Sequence, residues 1–457
     1  MRTIDERYAA AGEPRTVPIE LLGAFESTFM PAHDRDVLET TEHVKRWRDE
    51  LDLLEGSGVR RLRYPVRWHR IEAKPGVYDW SSIDEVMGDL SERGMRPIVD
   101  LLHHTSYPLW LGSLADPRFG PAYVAFVEAF AVRYPWVTEY TLCNEPFTTF
   151  LLCGDAGLWP PYLNGLDGFL TLVNNVLPAV AEASRLCQEL LPGGRHVFVA
   201  ACEHAGAACP EAEPFAALAN DRRFFVTDLF LGRELDPDRP FVAQVLAAGG
   251  DDVVDMAPGI IAFLGLDYYA HCQWQYVDGE GNGLMTSPEP TPLADLIGQY
   301  WDRYKLPCLL GETNVRGCTS DRVSWLKYTL EQCERARDAG VTIDGYCWFP
   351  TIDSCDWDSL LARCEGNIDP VGVFWLDENR DRRRSSMSEA FELVARGAPS
   401  TVLPAYRFQP PVSEWLTGWL PQMSHWEWQD PPADEIALIR PDPPSTEIEL
   451  RIVHAAE

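Results

Sequence analysis

The chain has 457 residues and a formal net charge of −31 at pH 7, with only 39 Lys and Arg against 70 Asp and Glu. This balance argues against binding to nucleic acids or anionic membranes, because both require patches of Lys and Arg. The first residues carry no apolar signal core and no segment is long and apolar enough to span a bilayer, so we expect a cytoplasmic protein with no membrane or nucleic-acid partner.

Apolar runs and helical periodicities alternate along most of the chain. Eight runs predict strands at 21–25, 59–66, 96–103, 138–145, 196–203, 260–268, 308–312 and 342–348. Helical spacing predicts helices at 44–54, 83–93, 123–130, 169–191, 293–304, 323–339 and 386–396. Pro178 is expected to kink or break the long helix at 169–191. Eight such units with largely apolar strands predict an α/β fold of the (β/α)8 or TIM-barrel type over residues 18–398.

The two ends of the chain are predicted to lie outside this barrel. Residues 1–17 form an N-terminal segment, and residues 399–457 form a Pro/Trp-rich extension with four tryptophans, Trp415, Trp419, Trp426 and Trp428. This composition predicts an extended arm with an edge strand at 447–453. We favour packing of the arm onto the barrel. The alternative is an arm that docks on a neighbouring copy and gives a homo-oligomer.

The cysteines are predicted to be buried free thiols. None of the 12 belongs to a C-x-x-C pair, and several, such as Cys143 and Cys308, lie inside apolar runs. We therefore expect no disulfide framework, no metal site and no cofactor.

Two glutamates carry the chemistry of the predicted barrel. Glu145 ends strand four and Glu312 ends strand seven, and the carboxyl ends of barrel strands converge on one pocket. Other polar or aromatic residues near strand ends are Arg63, His104, Glu203, Asp267 and Trp348. Each of these has an ordinary structural explanation when taken alone. Two acids on separate strands, with an arginine on strand two, match the donor and nucleophile or base of glycoside hydrolysis.

Several motifs in this order resemble those of glycoside hydrolase family 1. The resemblance covers about residues 21–398, and the motifs that carry it are Leu142-Cys-Asn-Glu-Pro146, Gly265-Leu-Asp-Tyr-Tyr269, Arg63-Tyr-Pro-Val-Arg-Trp-His-Arg-Ile71, Gly311-Glu-Thr-Asn314 and Trp348-Phe-Pro-Thr-Ile-Asp-Ser-Cys-Asp-Trp357. It implies a (β/α)8 retaining glycosidase whose acids lie on strands four and seven.

The resemblance also implies a role for each site residue. Glu145 would be the general acid and then the base, and Glu312 the nucleophile. Arg63 and Tyr269 would keep Glu312 ionised, and Asn144 would bond the sugar 2-hydroxyl. The pocket for the non-reducing sugar would be shaped by His104, Trp348, Asp356 and Trp357.

The departures from the family pattern all fall among the residues that would face the sugar. The family's sugar-binding Gln corresponds to Met30 or to the unaligned residues 31–33, and its His-Trp is His104-Thr105. Its Asn in the sixth strand is Asp267, and its Glu beside the last tryptophan is Asp356. We therefore expect a retaining β-glycosidase or transglycosidase acting on a β-linked sugar other than plain glucose. The alternative is a non-catalytic sugar-binding or scaffold protein on the same barrel.

Overall fold

Eight parallel strands close into a barrel in which each strand pairs with its neighbours in chain order and the first pairs with the last. In this computed structural model the described residues are 18–250, 256–281, 283–408, 423 and 425–432. The barrel strands are β1 Leu21–Ala24, β2 Arg61–Pro65, β3 Arg96–Asp100, β4 Glu139–Thr141, β5 Arg195–Ala201, β6 Phe263–Asp267, β7 Cys308–Glu312 and β8 Ile343–Cys347. The predicted (β/α)8 barrel is confirmed.

Helices cover the outside of the barrel and separate consecutive strands. They are α1 His43–Gly56, α2 Ser81–Glu92, α3 Phe119–Arg133, α4 Gly165–Leu190, α5 Glu213–Arg222, α6 Phe225–Phe230, α7 Pro240–Ala247, α8 Leu293–Tyr304, α9 Thr319–Asp338 and α10 Ser386–Ala395. Helix α4 runs through Pro178 without a break, although a kink or a break was expected there. Its apolar face is buried along most of its length, which offsets the one backbone bond that proline removes.

The inside of the barrel is filled by a layer of apolar side chains, with a charged floor below it. The layer includes Leu22, Ile98, Val199 and Leu309. At the floor Arg61 donates two hydrogen bonds to Glu139, at 2.7 and 2.9 Å. A packed interior of this kind is typical of TIM barrels and leaves the rim at the carboxyl ends of the strands as the place for a site.

The described part of the C-terminal extension packs against helix α9. Ala405–Tyr406 pairs in parallel with Trp428–Gln429, and the Tyr406 amide donates to the Ser324 hydroxyl at 2.8 Å. The Trp426 indole is buried and donates to Glu331 at 3.0 Å. Trp415, Trp419, the expected strand at 447–453 and the segment 1–17 lie outside the described residues.

The sequence predicts buried free thiols and no membrane-spanning segment. Ten of the 12 cysteines are buried, and among the described residues they form no disulfide. Within those residues, every helix falls short of the length and apolar character that a membrane crossing requires.

Candidate active site

The two predicted acids meet at the rim of the barrel. Glu312 is the last residue of β7, and Glu145 stands just before the short helix Pro146–Phe150. Glu145 has a left-handed backbone with φ of 39°, which a residue other than glycine adopts only at a cost. The turn is held by Pro146 at the helix start and by the Thr149 amide, which donates to the Glu145 carbonyl at 2.9 Å. As a result, one carboxyl oxygen of Glu145 lies within 4.8 Å of one of Glu312.

Glu312 receives a donor at each carboxylate oxygen. Arg63 Nη1 donates to Oε1 at 2.7 Å, and the Tyr269 hydroxyl donates to Oε2 at 2.6 Å. Glu312 and Arg63 are buried and Tyr269 is half-buried, and the guanidinium also supplies an opposite charge. These contacts stabilise the ionised form of Glu312, which is the form that a nucleophile needs.

Glu145 has the opposite environment. Burial raises its pKa well above the usual range, and the negative charges of Glu312 and Glu203 act in the same direction. The nearest ring nitrogen of His104 is 3.8 Å from its carboxyl group. Burial and the nearby His103 and Arg63 hold the pKa of His104 well below its usual range, so that ring is neutral. The raised pKa of Glu145 favours the protonated form that a general acid needs.

Asn144 is fixed between the arginine and the histidine. Its Oδ1 accepts from Arg63 Nη2 at 2.6 Å, and its Nδ2 lies 3.3 Å from His104 Nε2. The other ring nitrogen of His104 is 2.9 Å from the Thr149 hydroxyl. Arg63 also contacts Asp100 at 3.3 Å. One guanidinium thus orients the last residues of strands β3 and β7 and a residue just after β4 at the same time.

A cavity of about 210 Å³ opens above the two acids. Five of the predicted site residues line it: His104, Glu145, Tyr269, Glu312 and Trp357. Trp159 also contributes, with its ring 5.2 Å from His104 and 6.0 Å from Trp357. Indole faces on one side and carboxyl groups on the other suit the apolar and polar surfaces of a sugar ring.

The other predicted substrate-site residues do not line this cavity; they are Arg63, Asn144, Trp348 and Asp356. Trp348 is fully buried and donates its indole N–H to the Val371 carbonyl at 2.9 Å. Asp356 is turned into its own loop, where Oδ1 accepts from the amides of residues 365, 366 and 367 and Oδ2 accepts from Arg35. The sequence analysis placed Trp348 and Asp356 against the sugar, and the structure corrects both positions. The backbone conformation of the loop after β8 decides where these side chains point.

The sequence interpretation missed Glu26 as a lining residue. It stands two residues beyond β1, lines the cavity and accepts from the Thr28 amide at 2.8 Å. Burial raises its pKa, although His103, 3.6 Å away, acts in the opposite direction. Met30, the residue that alignment suggested for this place, is buried in the core. The sequence feature that could have identified Glu26 is an acid directly after the first predicted strand.

A second set of lining residues extends the cavity over strands β5 to β7. Among those that were not assigned from the sequence are Glu203, Arg222, His271, Trp274 and Arg316. Glu203 was noted as a strand-end residue. Arg222 ends helix α5, His271 and Trp274 follow β6 by four and seven residues, and Arg316 follows β7 by four. Burial lowers the pKa of His271 to about 4, so its ring is neutral where it stacks on Tyr269.

The sequence and the fold both relate this chain to known glycosidases. It is 22% identical over 386 residues to β-glucosidase A of Thermotoga maritima, covering 75% of this chain and 83% of that protein. It is 23% identical over 372 residues to a β-galactosidase of Saccharolobus solfataricus, covering 72% of each. A solved family 1 β-glucosidase of T. maritima superposes with a TM-score of 0.70 at 18% identity, over 84% of this chain and 98% of that one.

The chain is therefore similar in sequence and in fold to family 1 β-glycosidases. No protein-family model matches it. The low identity agrees with the altered sugar-facing positions of this family 1-like chain, whereas its acid pair retains the strand placement that the resemblance predicts.

Proposed function

We propose that this protein is a retaining β-glycosidase that uses Glu145 as acid and base and Glu312 as nucleophile. One observation carries the proposal. Two buried carboxyl groups approach within 4.8 Å, and their surroundings favour a proton on one and a charge on the other. Retaining enzymes have carboxyl groups about 5–5.5 Å apart, whereas inverting enzymes leave room for a water between them.

In the first step Glu145 gives its proton to the glycosidic oxygen while Glu312 attacks the anomeric carbon. The bond from that carbon to the glycosidic oxygen breaks, the aglycone leaves as an alcohol, and a glycosyl ester forms on Glu312. Arg63 and Tyr269 hold the Glu312 carboxylate in place by the two contacts described above. We also propose that Asn144, which is fully buried and oriented by Arg63, bonds a hydroxyl of the bound sugar.

In the second step Glu145, now a carboxylate, takes a proton from water as the water oxygen attacks the anomeric carbon. The ester bond to Glu312 breaks, and the sugar leaves with its original β configuration. Glu145 is protonated again and Glu312 is free. An alcohol in place of water would give transglycosylation by the same proton path.

The surroundings of the acid pair favour a catalytic role over that of a non-catalytic sugar-binding or scaffold protein. A buried carboxylic acid with a raised pKa destabilises the folded state at neutral pH, and nothing in sugar binding alone requires two of them in contact. A binding protein would need hydrogen-bond partners and aromatic faces only.

We further propose that the natural substrate is a β-linked sugar other than plain glucose. Glu26 adds an acidic lining group, whereas the Thr105 hydroxyl donates to the Phe29 carbonyl and is not available to a ligand. Asp356 is already saturated by its own loop. A site discriminates strongly among sugars by pairing each hydroxyl, so replaced partners change the preferred sugar.

The test is a panel of nitrophenyl β-glycosides comprising glucoside, galactoside, fucoside and a furanoside. We expect a sugar other than glucose to have the highest kcat/KM, and proton NMR to detect the β-anomer first. A glucoside turned over at roughly 10⁴ M⁻¹s⁻¹ or more would contradict the sugar assignment. An α-anomer as first product would contradict the retaining mechanism.

A further inference from the structure

A third carboxyl group lies beside the two proposed catalytic acids. Asp267 is the last residue of β6, pairs in register with Glu312 on β7, and is fully buried. One oxygen of each of Glu145, Asp267 and Glu312 lies within 4.8 Å of the others. Among the described residues, no hydrogen-bond donor reaches either Asp267 oxygen. A buried carboxylate without donors is unfavourable, so this group needs a different explanation.

The strand beside Asp267 leaves room for this carboxyl group. A Cβ atom at Gly311 would stand 2.5 Å from Asp267 Oδ1, so any side chain there would collide with it. Gly311 is also the residue whose carbonyl accepts from Arg63 Nη1 at 3.1 Å. Asp267 therefore lies in a space that the backbone of β7 provides, directly beside the nucleophile.

The charged groups around Asp267 are already matched with each other. Arg63 contacts Glu312 and Asp100, and His103 contacts Asp100 at 2.8 Å. Arg63 and His103 thus make their close contacts with Glu312 and Asp100, and among the described residues no cationic side chain donates a hydrogen bond to Asp267. The titratable groups that face it from the surrounding strands are Arg63, Glu145, Cys202, Tyr269, Glu312 and Cys347.

The remaining neighbours do not supply positive charge. Burial raises the pKa of the Cys202 thiol to about 12 and raises those of Tyr269 and Cys347 well above their usual range. Burial likewise raises the pKa of Asp267 well above its usual range, the charges of Glu312 and Glu145 act in the same direction, and Arg63 acts in the opposite direction. Two neighbouring buried carboxyl groups disfavour double ionisation, so the pair keeps one proton.

We propose that Asp267 is a neutral carboxylic acid whose O–H donates to Glu312 and positions the nucleophile, an inference that rests on the proposed function. The missing donors are then explained, because the acid itself is the donor. Glu312 would hold three donors, from Arg63, Tyr269 and Asp267, which define its orientation toward the anomeric carbon. Asp267 is a positioning residue and takes no part in bond making.

The sign of a pH shift distinguishes a neutral Asp267 from an anion. If Asp267 is neutral, Asp267→Asn keeps a donor and removes no charge, so the acid limb of kcat/KM stays in place. The alkaline limb stays or moves to higher pH, because one titrating proton is gone. If Asp267 were an anion, the same change would remove a negative charge beside both acids and move both limbs down by about one pH unit or more.

The first experiment measures kcat/KM against pH for the wild type, Asp267→Asn and the control Asp52→Asn, using the best substrate of the nitrophenyl panel. Asp52 is exposed, so its variant removes one charge far from the site. We expect neither limb to move down in Asp267→Asn. A downward shift of both limbs, with Asp52→Asn unchanged, would overturn the inference.

The second experiment does not depend on turnover. Infrared difference spectra at pH 7 compare Glu145→Gln with the double variant Glu145→Gln and Asp267→Asn. We expect the double variant to lose one carbonyl band of a protonated carboxylic acid, and loss of a carboxylate band instead would overturn the inference. Calorimetric binding of one Ca²⁺ or Mg²⁺ per chain that Asp267→Asn abolishes would also overturn it, since such a site needs ionised carboxylates. A wild type inactive on every glycoside would remove the proposed function but leave this spectroscopic result standing.

Discussion

Glu145 and Glu312 are the same amino acid with different surroundings. Burial and the negative charge of Glu312 raise the pKa of Glu145, whereas Arg63 and Tyr269 donate to Glu312. A raised pKa on one carboxyl group and two donors on the other assign the acid and the nucleophile without reference to a bound substrate.

The acid role of Glu145 predicts a dependence on the leaving group. Glu145→Gln keeps the shape but removes the proton, so kcat/KM for an alkyl β-glycoside should fall by about 10²–10⁴. A dinitrophenyl β-glycoside needs no proton at its leaving oxygen and should lose much less. Initial rates on both substrates test this, with the exposed Glu85→Gln as the matched control. Equal losses on the two substrates would contradict the assignment.

Residues at a strand end or a few buried residues after it could be placed from the sequence, and those in later loops could not. Glu312 ends β7 itself, and Glu145 lies four residues after the end of β4, with the buried residues 142–144 between them. Asp356 lies after β8 in a loop where its own backbone is left-handed, with φ of 65°. Sequence periodicity carries no information about such a turn, so its direction was wrongly inferred.

At the scale of elements, strand positions were predicted well and strand ends less well. The ranges 308–312 and 293–304 match β7 and α8 at both ends. The run 96–103 was predicted too long, since β3 ends at Asp100 while Leu101 and Leu102 remain buried in the following loop. Apolar composition reports burial, and burial continues past the last ladder bond at the rim of a barrel.

The contact between α9 and the C-terminal extension gives a prediction at the same scale. Trp426 buries its ring in the core cluster and bonds Glu331. We expect Trp426→Ala to lower the free energy of unfolding by about 3 kcal/mol, measured by urea denaturation. Val402→Ala, at a residue that is 51% exposed, is the control and should change it little. A Trp426 variant as stable as the control would show that the extension does not stabilise the barrel.

For the whole molecule, buried acids should place the pH of maximum stability on the acid side. Burial raises the pKa of Asp155 to about 6 and also raises those of Glu26 and Glu203. A carboxyl group with a raised folded pKa stabilises the fold below its unfolded pKa, and that contribution is lost as pH rises through the folded value. Asp36, whose pKa His69 and Arg67 lower to about 2, acts oppositely and loses its contribution only as pH falls toward that value.

Asp155→Asn tests this account away from the active site. At pH 7.5 the variant should be more stable than the wild type by up to about 3 kcal/mol, because the wild-type group must be kept neutral or buried as a charge. At pH 3.5 the two should be equal. Urea unfolding at both pH values is the measurement, with the exposed Asp52→Asn as control. A gain of the same size at both pH values would indicate a packing effect and not a titration.

The central claim is that Glu312 forms a covalent bond to the sugar. The most direct measurement is incubation with a panel of dinitrophenyl 2-deoxy-2-fluoro-β-glycosides, followed by intact mass and peptide mapping. We expect one panel member to add a single fluorosugar per chain, with the adduct on Glu312, and no adduct in Glu312→Gln. An adduct on another residue, or no adduct from a fluoroglycoside that binds the protein, would contradict the claim.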